Sequence, residues 1–349
     1  MRTKAEAIEI AGTRVAPGSR QTLDIPIAKL YTHTPVVMPV HIIHGRRPGP
    51  KVFVCAGIHG DEINGVETAR RLIKSSALRH VRGTLLIIPV VNVWGFLNKS
   101  RYLPDRRDLN RSFPGSPSGS MAARLADAFL QLVKGFDCGI DLHTAAIYRT
   151  NLPQIRCDLK DERTQTLSEA FGAPVVLHAP LRPGSLRETL HAEGHTPVLV
   201  YEAGEALRFD EVSIRAGTRG VINVLRQAGM IPSKHAGQEN RGSPMKIYRS
   251  SWVRAPESGL LHLAVKLGSH VSTGQILGQI TDPYGSNRID LYAPYDGVII
   301  GTATLPLVNE GEAIIHIGCI EAAQAATLAS ELNAFDDQED PFLPPWQLL

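Results

Sequence analysis

Two short constellations in this chain hold the residue types of metal-assisted chemistry. The first, Gly57-Ile58-His59-Gly60-Asp61-Glu62-Ile63-Asn64-Gly65, directly follows an apolar run at residues 52–56. His59 and Glu62 stand three apart on a turn entering a helix, so both can point at one ion. An imidazole nitrogen and a carboxylate oxygen suit Zn²⁺ at about 2.0–2.2 Å. Alone, a His-x-x-Glu is a weak signal that a solvated pair also explains, and the surrounding glycines strengthen the ligand reading without deciding it. The second constellation is Ile140-Asp141-Leu142-His143-Thr144, at the end of another apolar run. Asp141 and His143 are two apart and share a strand face. His143 can be a third ligand with Asp141 behind it, since metal-bound histidines usually donate their other N–H to such a group. A hydrogen-bonded strand-end histidine is the competing reading. Joined, two His and one Glu leave a fourth position for water, the pattern of a catalytic zinc.

Two further segments add polar chemistry. Residues 101–115 carry Arg101, Arg106, Arg107 and Arg111 among Pro104, Pro114 and Gly115. Four arginines can form a solvated face. The breakers, however, mark a loop, and loops over such a sheet carry binding groups. Arginine can hold a carboxylate in a bidentate fork or stabilise a developing oxyanion. In Pro197-Val198-Leu199-Val200-Tyr201-Glu202-Ala203-Gly204-Glu205, a carboxylate ends an otherwise apolar strand. Glu202 there is the kind of group a hydrolase uses as general base, with Glu205 as its competitor.

These groups need elements to position them. Residues 9–45 read as short strands with turn signals at Gly12 and Pro17-Gly18, and residues 45–50 form a breaker cluster. Strands and helices then alternate: apolar runs at 52–56, 85–88, 138–142, 175–177 and 198–201, with helical spacing in Val66, Ala69, Leu72 and Ile73 and again in Leu125, Ala128, Phe129, Leu132 and Val133. Ser185 with Glu188 fits a capping box. Such alternation predicts a mixed, largely parallel sheet with helices on both faces. After Pro244 the texture becomes short strands with Gly turns, and an Ala-Pro-x-x-Gly start recurs at Ala255 and Ala293. That duplication resembles the barrel-sandwich hybrid of biotinyl and lipoyl domains. The stretch between the halves, residues 284–290, has no lysine to carry a prosthetic group, so a structural or lid module is expected. The predicted organisation is an N-terminal β segment (1–45) packing on a catalytic α/β domain (46–243), a barrel-sandwich-like β domain (244–320) and an acidic tail (321–349), a helix followed by an extended arm.

Length and composition agree with this plan. A chain of 349 residues suggests about two domains and a core that needs no staples. With 43% hydrophobic and 20% charged residues, disordered and fibrous classes are excluded. A net charge of +3 carries no nucleic-acid or membrane-surface signature. The tail, however, holds six acids and no base, leaving 37 bases against 28 acids, +9, in the rest. That excess favours an anionic small substrate. Cys55, Cys138, Cys157 and Cys319 lie far apart without a CxxC pair, as reduced thiols do. The charged N-terminus lacks a signal-peptide core, and no apolar stretch reaches the ~20 residues of a membrane helix. A soluble cytoplasmic protein is expected.

Taken in order, His59/Glu62, Asp108-Leu109-Asn110-Arg111, Asp141-Leu142-His143 and Glu202-Ala203-Gly204 resemble the succinylglutamate desuccinylase/aspartoacylase family, relatives of the zinc carboxypeptidases. The resemblance spans roughly residues 10–320. It implies a zinc carboxypeptidase-like α/β/α sandwich and one Zn²⁺ per chain on His59, Glu62 and His143, with Asp108 and Asp141 behind the ligands. It also implies Glu202 as general base, Arg101 polarising the scissile carbonyl, and Arg111 with Asn110 holding the substrate carboxylate. The spacer from Arg101 to Asp108 is longer than in aspartoacylase, which leaves Arg106 and Arg107 as alternatives to Arg101. This longer version, with Gly184-Ser185-Leu186-Arg187 downstream, is more similar to the branch containing N-acetyl-diaminobutyrate deacetylases. The implied activity is zinc-dependent hydrolysis of the amide of a small N-acyl amino acid, without nucleic-acid or membrane partners. The oligomeric state is open, with dimers the commonest assembly. The alternatives are a zinc metallocarboxypeptidase acting on peptides and a non-catalytic metal- or carboxylate-binding protein.

Overall fold

The computed structural model describes residues 4–232 and 243–320, so the expected helix and arm of the acidic tail lie outside the described residues. Among the described residues, thirteen strands form one continuous mixed sheet. Its central order is Arg149–Cys157, Val198–Glu205, Cys138–Ala145, Lys51–Ala56 and Thr84–Ile88. The last four run parallel to one another. Parallel strands need crossover connections, and the connecting helices cover both faces. Val52 and Val54 therefore pack in one layer with Ala69, Leu72 and Val221, from the helices Ile63–Lys74 and Glu211–Gln227. Phe53 and Cys55 point the other way. They pack with Leu125, Phe129 and Leu190, from the helices Met121–Val133 and Leu186–Gly194. The fold is the expected α/β sandwich. Strands Pro35–His44 and Arg20–Lys29 extend the sheet antiparallel beyond Thr84–Ile88.

Local constraints explain some residue choices. Phe53 meets Phe129 and Phe136 edge-on, with centroids 6.3 and 6.1 Å away. Its ring lies over Gly139 on the next strand, where a Cβ would stand 2.0 Å from the ring. Only glycine fits there. Arg71, buried on the first helix, donates to both Glu211 oxygens at 2.8 Å and to Glu67 at 2.9 Å, fastening Ile63–Lys74 to Glu211–Gln227. Ser185 caps Leu186–Gly194 by accepting from the Glu188 N–H. All four cysteines are free. Burial holds the Cys55 thiol well above its ordinary range and pushes Cys138 up to about 12 and Cys157 to about 11. No described helix is long and apolar enough to cross a membrane.

The region after residue 244 is built on the main sheet. Strand Met245–Ile247 pairs with Val175–His178, and Gly297–Ala303 pairs antiparallel with Arg149–Cys157. Against Gly297–Ala303 lie Ala313–Cys319 and then Ser250–Arg254. A separate four-stranded sheet, Arg288–Tyr292, Ile276–Thr281, Gly259–Leu263 and Leu307–Val308, closes the module around Leu261, Ile280, Ile299 and Ile315. The duplication recurs in its hydrogen bonds. Ala255 N–H donates to Glu312 O and Ala293 N–H to Gln275 O, both at 2.9 Å. Gly311 and Gly274 donate back to Ala255 O and Ala293 O, both at 2.8 Å.

Within this module Trp252 and His316 are cross-strand partners, stacked at 4.5 Å and 11°. His316 Nε2 bonds the Ser250 hydroxyl at 2.9 Å. Burial, reinforced by the Arg156 charge, pushes its pKa down to about 3. The unfolded chain therefore binds a proton near pH 6.5 that the folded one refuses. Stability from this group is complete above pH ~6.5 and is lost as pH falls toward 3. His316→Phe should flatten the loss of stability between pH 6.5 and 5, a window above most carboxylate titrations. Urea midpoints at the two pH values measure it, and an unchanged slope would refute it.

Candidate active site

The carboxyl ends of the parallel strands bring the sequence motifs to one point. The loop after Lys51–Ala56 delivers His59, and Glu62 is the N-cap of the helix that follows. This loop passes so close to the backbone at Gly95 that a Cβ on Gly60 would lie 1.9 Å from it. His143 comes from Cys138–Ala145, two strands over from Thr84–Ile88. One ligand atom from each of His59, Glu62 and His143 lies within 4.8 Å of the others, and all three residues are buried. His59 Nδ1 stands 2.7 Å from Glu62 Oε1, His143 Nδ1 stands 2.7 Å from Glu62 Oε2, and the two Nδ1 atoms are 3.2 Å apart. Ligands at tetrahedral angles on zinc stand about 3.3 Å from one another.

The donor chemistry fits a cation. His59 Nε2 lies 3.1 Å from Asp108 Oδ1, and His143 Nε2 lies 2.7 Å from Asp141 Oδ2. An imidazole that donates from Nε2 to a carboxylate presents a bare lone pair at Nδ1. Both lone pairs then face the Glu62 carboxylate, an electron-rich hollow that a metal ion would satisfy. Without an ion, protonated His59 and His143 would instead donate from Nδ1 to Glu62. Burial opposes its ionisation, but their charges and hydrogen bonds outweigh that and hold its carboxyl well below the usual carboxylate range. Asp141 is itself steadied by the Cys55 thiol, which donates at 3.4 Å.

Around the cluster lies a cavity of about 400 Å³. Arg101 reaches into it while donating to Glu62 Oε1 and Asp108 Oδ2, both at 3.1 Å. Arg106 and Arg107 are exposed on the loop and do not line the cavity. Arg111 does line it, as does Asn110, whose Oδ1 accepts from the Leu186 N–H at 3.1 Å. Glu202 lines the cavity beside the cluster, paired in register with His143. Glu205 instead accepts from the Tyr148 N–H at 3.0 Å.

Sequence reasoning missed the groups that hold Glu202. They lie on Arg149–Cys157, a strand that carries Pro153 in its interior and so does not read as one. Gln154 pairs with Glu202 and Asn151 with Gly204, so the Arg149–Cys157 strand has one residue more than its partner there. This bulge absorbs the proline. It also brings Asn151 and Arg156, an odd number of residues apart, to the same face. Both meet Glu202 Oε2: the Asn151 amide donates at 3.0 Å, and Arg156 Nε is 3.0 Å away. Trp252 forms another wall from the C-terminal module, with the Arg149 guanidinium 5.1 Å over its ring.

Residues 48–228, over half of the chain, match the succinylglutamate desuccinylase/aspartoacylase catalytic domain. The chain is 29% identical over 297 residues to the N-alpha-acetyl-L-2,4-diaminobutyric acid deacetylase of Halomonas elongata, covering 81% of this chain and 85% of that protein. It is similar to the product-bound ectoine utilization protein EutE (DoeB) from Ruegeria pomeroyi, with a TM-score of 0.76 and 24% identity over 86% of this chain and 95% of that one. A succinylglutamate desuccinylase/aspartoacylase structure from Rhodobacter sphaeroides gives a TM-score of 0.74 and 26% identity over 87% and 96%. With the catalytic-domain match running across the strand ends that carry the buried His-Glu-His cluster, the protein belongs to the succinylglutamate desuccinylase/aspartoacylase family.

Proposed function

We propose that the protein is a zinc-dependent amidohydrolase that removes the acyl group from a small N-acyl amino acid. One observation carries this reading: a three-ligand cluster, a separate carboxylate at Glu202 and, at Arg111, an arginine without an acidic partner among the described residues share one cavity. His59, Glu62 and His143 would hold the Zn²⁺, which supplies Lewis acidity and a water acidic enough to react near neutral pH. Glu202 takes the proton lost by the attacking water and passes it to the departing amine nitrogen. Asn151 and Arg156 both contact Oε2, which leaves Oε1 for that transfer. Arg101 has five N–H donors and commits two of them to Glu62 and Asp108, so others are available to the oxyanion that develops on the substrate carbonyl. Arg111 anchors the amino-acid carboxylate, with Asn110 fixing the loop beside it. The free cysteines fit a reducing compartment, and the cytoplasm is the proposed location.

The metal assignment predicts one zinc per chain by elemental analysis. His143→Ala should lose it, and full zinc occupancy with full activity in that variant would place the site elsewhere. Glu202→Gln tests the proton role separately. It should keep its zinc and its substrate KM while kcat falls ~10²–10⁴-fold, whereas Glu205→Gln should stay within about tenfold of wild type. Loss of zinc from Glu202→Gln would overturn its assignment as proton carrier, and a dead Glu205→Gln would move that role to Glu205. Arg111→Ala should mainly raise KM for carboxylate-bearing substrates, because an anchor acts already in the ground state.

Trp252 supports a size-limiting role for the C-terminal module. Because Gly297–Ala303 is paired into the main sheet, removing the module would expose a sheet edge, and a point substitution is the better probe. Trp252→Ala should raise kcat/KM for N-acyl amino acids with bulkier acyl groups relative to N-acetyl ones. Unchanged size selectivity in a competition assay would count against this role.

A further inference from the structure

Six arginines line the cavity, and their commitments differ. Arg101 faces Glu62 and Asp108, and Arg156 faces Glu202. Arg187 is spent on backbone: it donates to Arg156 O at 3.3 Å, Ala179 O at 3.2 Å and Pro180 O at 3.1 Å. Those last two bonds pin the start of the loop that precedes the helix Leu186–Gly194. The loop's far end is pinned to the arginine-rich segment. Phe113 N–H donates to Gly184 O at 3.1 Å, and Leu186 N–H donates to Asn110 Oδ1 at 3.1 Å. Gly184, at φ +77°, packs so tightly that a Cβ would stand 3.0 Å from Arg111 O. Arg182 sits between these two anchorages and lines the same cavity as Arg111.

Neither guanidinium has a carboxylate within ion-pair distance among the described residues. Burial lowers the pKa of Arg111, and the positive charges of Arg182 and Arg101 act in the same direction against the pull of Asp108. Two loops thus present two like charges to one cavity, an arrangement that costs energy until an anion binds there. Exposed arginines are ordinarily free to swing apart. Here the backbone around both is tied down, so both side chains start from fixed points on the rim of one cavity.

We propose that Arg182 is the second guanidinium of the carboxylate seat, closing on the same substrate carboxylate as Arg111 from the opposite loop. This inference rests on the reading of the protein as an N-acyl amino acid hydrolase. Arg111 supplies one fork and Arg182 a second set of N–H donors to a group with about four lone-pair sites. The seat therefore selects substrates with a free carboxylate next to the scissile amide and discriminates against their amides and esters.

The test uses the zinc-loaded enzyme, the N-acetyl amino acid it hydrolyses fastest in a panel, and the carboxamide of that compound. Arg182→Gln should raise KM for the acid about tenfold or more, with kcat within about twofold, and should leave the poor turnover of the carboxamide unchanged. Arg182→Lys should recover part of the loss. The double variant Arg111→Gln/Arg182→Gln should raise KM less than the product of the two single effects, as expected of groups sharing one ligand. Calorimetry with the free amino acid product should show the same weakening without any turnover. An unchanged KM, equal losses on acid and carboxamide, or strictly multiplicative effects would overturn the assignment while leaving the hydrolase reading intact. Absence of turnover of every N-acyl amino acid by the wild-type enzyme would remove both.

Discussion

Glu62 is a carboxylate almost wholly withdrawn from water, and the surrounding architecture keeps it charged. A buried carboxylate without compensation would take up a proton, because desolvation penalises the ionised form. Here two imidazoles meet its two oxygens, and each imidazole is backed by its own aspartate. The Thr144 N–H adds a further bond to Oε2 at 3.1 Å. The network draws on a loop, a helix N-cap and a strand end, so it forms only when neighbouring parallel strands are in register. The pairing of Cys55 with Asp141 and of His143 with Glu202 records that register. A slip of one residue would turn His143 into the helical layer below the sheet.

The same dependence reaches into the core. Glu62 begins the helix that Arg71 fastens to Glu211–Gln227, and the chain between Ala56 and Glu62 passes against Gly95 with no room for a side chain. Core packing and site geometry are one set of constraints. The C-terminal module is bound into it through the Arg149–Cys157 strand, which pairs with Val198–Glu205 on one side and Gly297–Ala303 on the other. One strand therefore orients Glu202 and also carries the module that places Trp252 at the cavity.

Charge is distributed with the same economy of roles. The positive excess in the body of the chain collects partly in this cavity, where some arginines pair with the protein's own carboxylates and others have none within ion-pair distance among the described residues. Arg156 and Arg101 shape the electrostatics of groups that belong to the protein. Among the described residues Arg111 and Arg182 have no acidic partner, the property that separates the proposed binding arginines from structural salt bridges.

Much of the architecture was legible because it depends on local pattern. Buried parallel strands show as continuous apolar runs, helices as a 3.6-residue stripe, and His59 and Glu62 follow one such strand directly while His143 lies near the end of another. The Ala-Pro-x-x-Gly duplication was legible for the same reason, since each copy folds into the same turn and strand. Asn151 and Arg156 were not, because Pro153 hides their strand and their common orientation exists only through a bulge opposite Ala203. Arg182 and Trp252 were equally silent: an exposed arginine in a loop and a tryptophan in a short strand have no distinguishing spacing. What the sequence determined alone is most of the central strands, several of the helices and the His and Glu residues at the strand ends. Which distant side chains share the cavity, and which arginines go unpaired there, was decided by strand order and loop docking, because those contacts join residues whose separation along the chain carries no periodic signal.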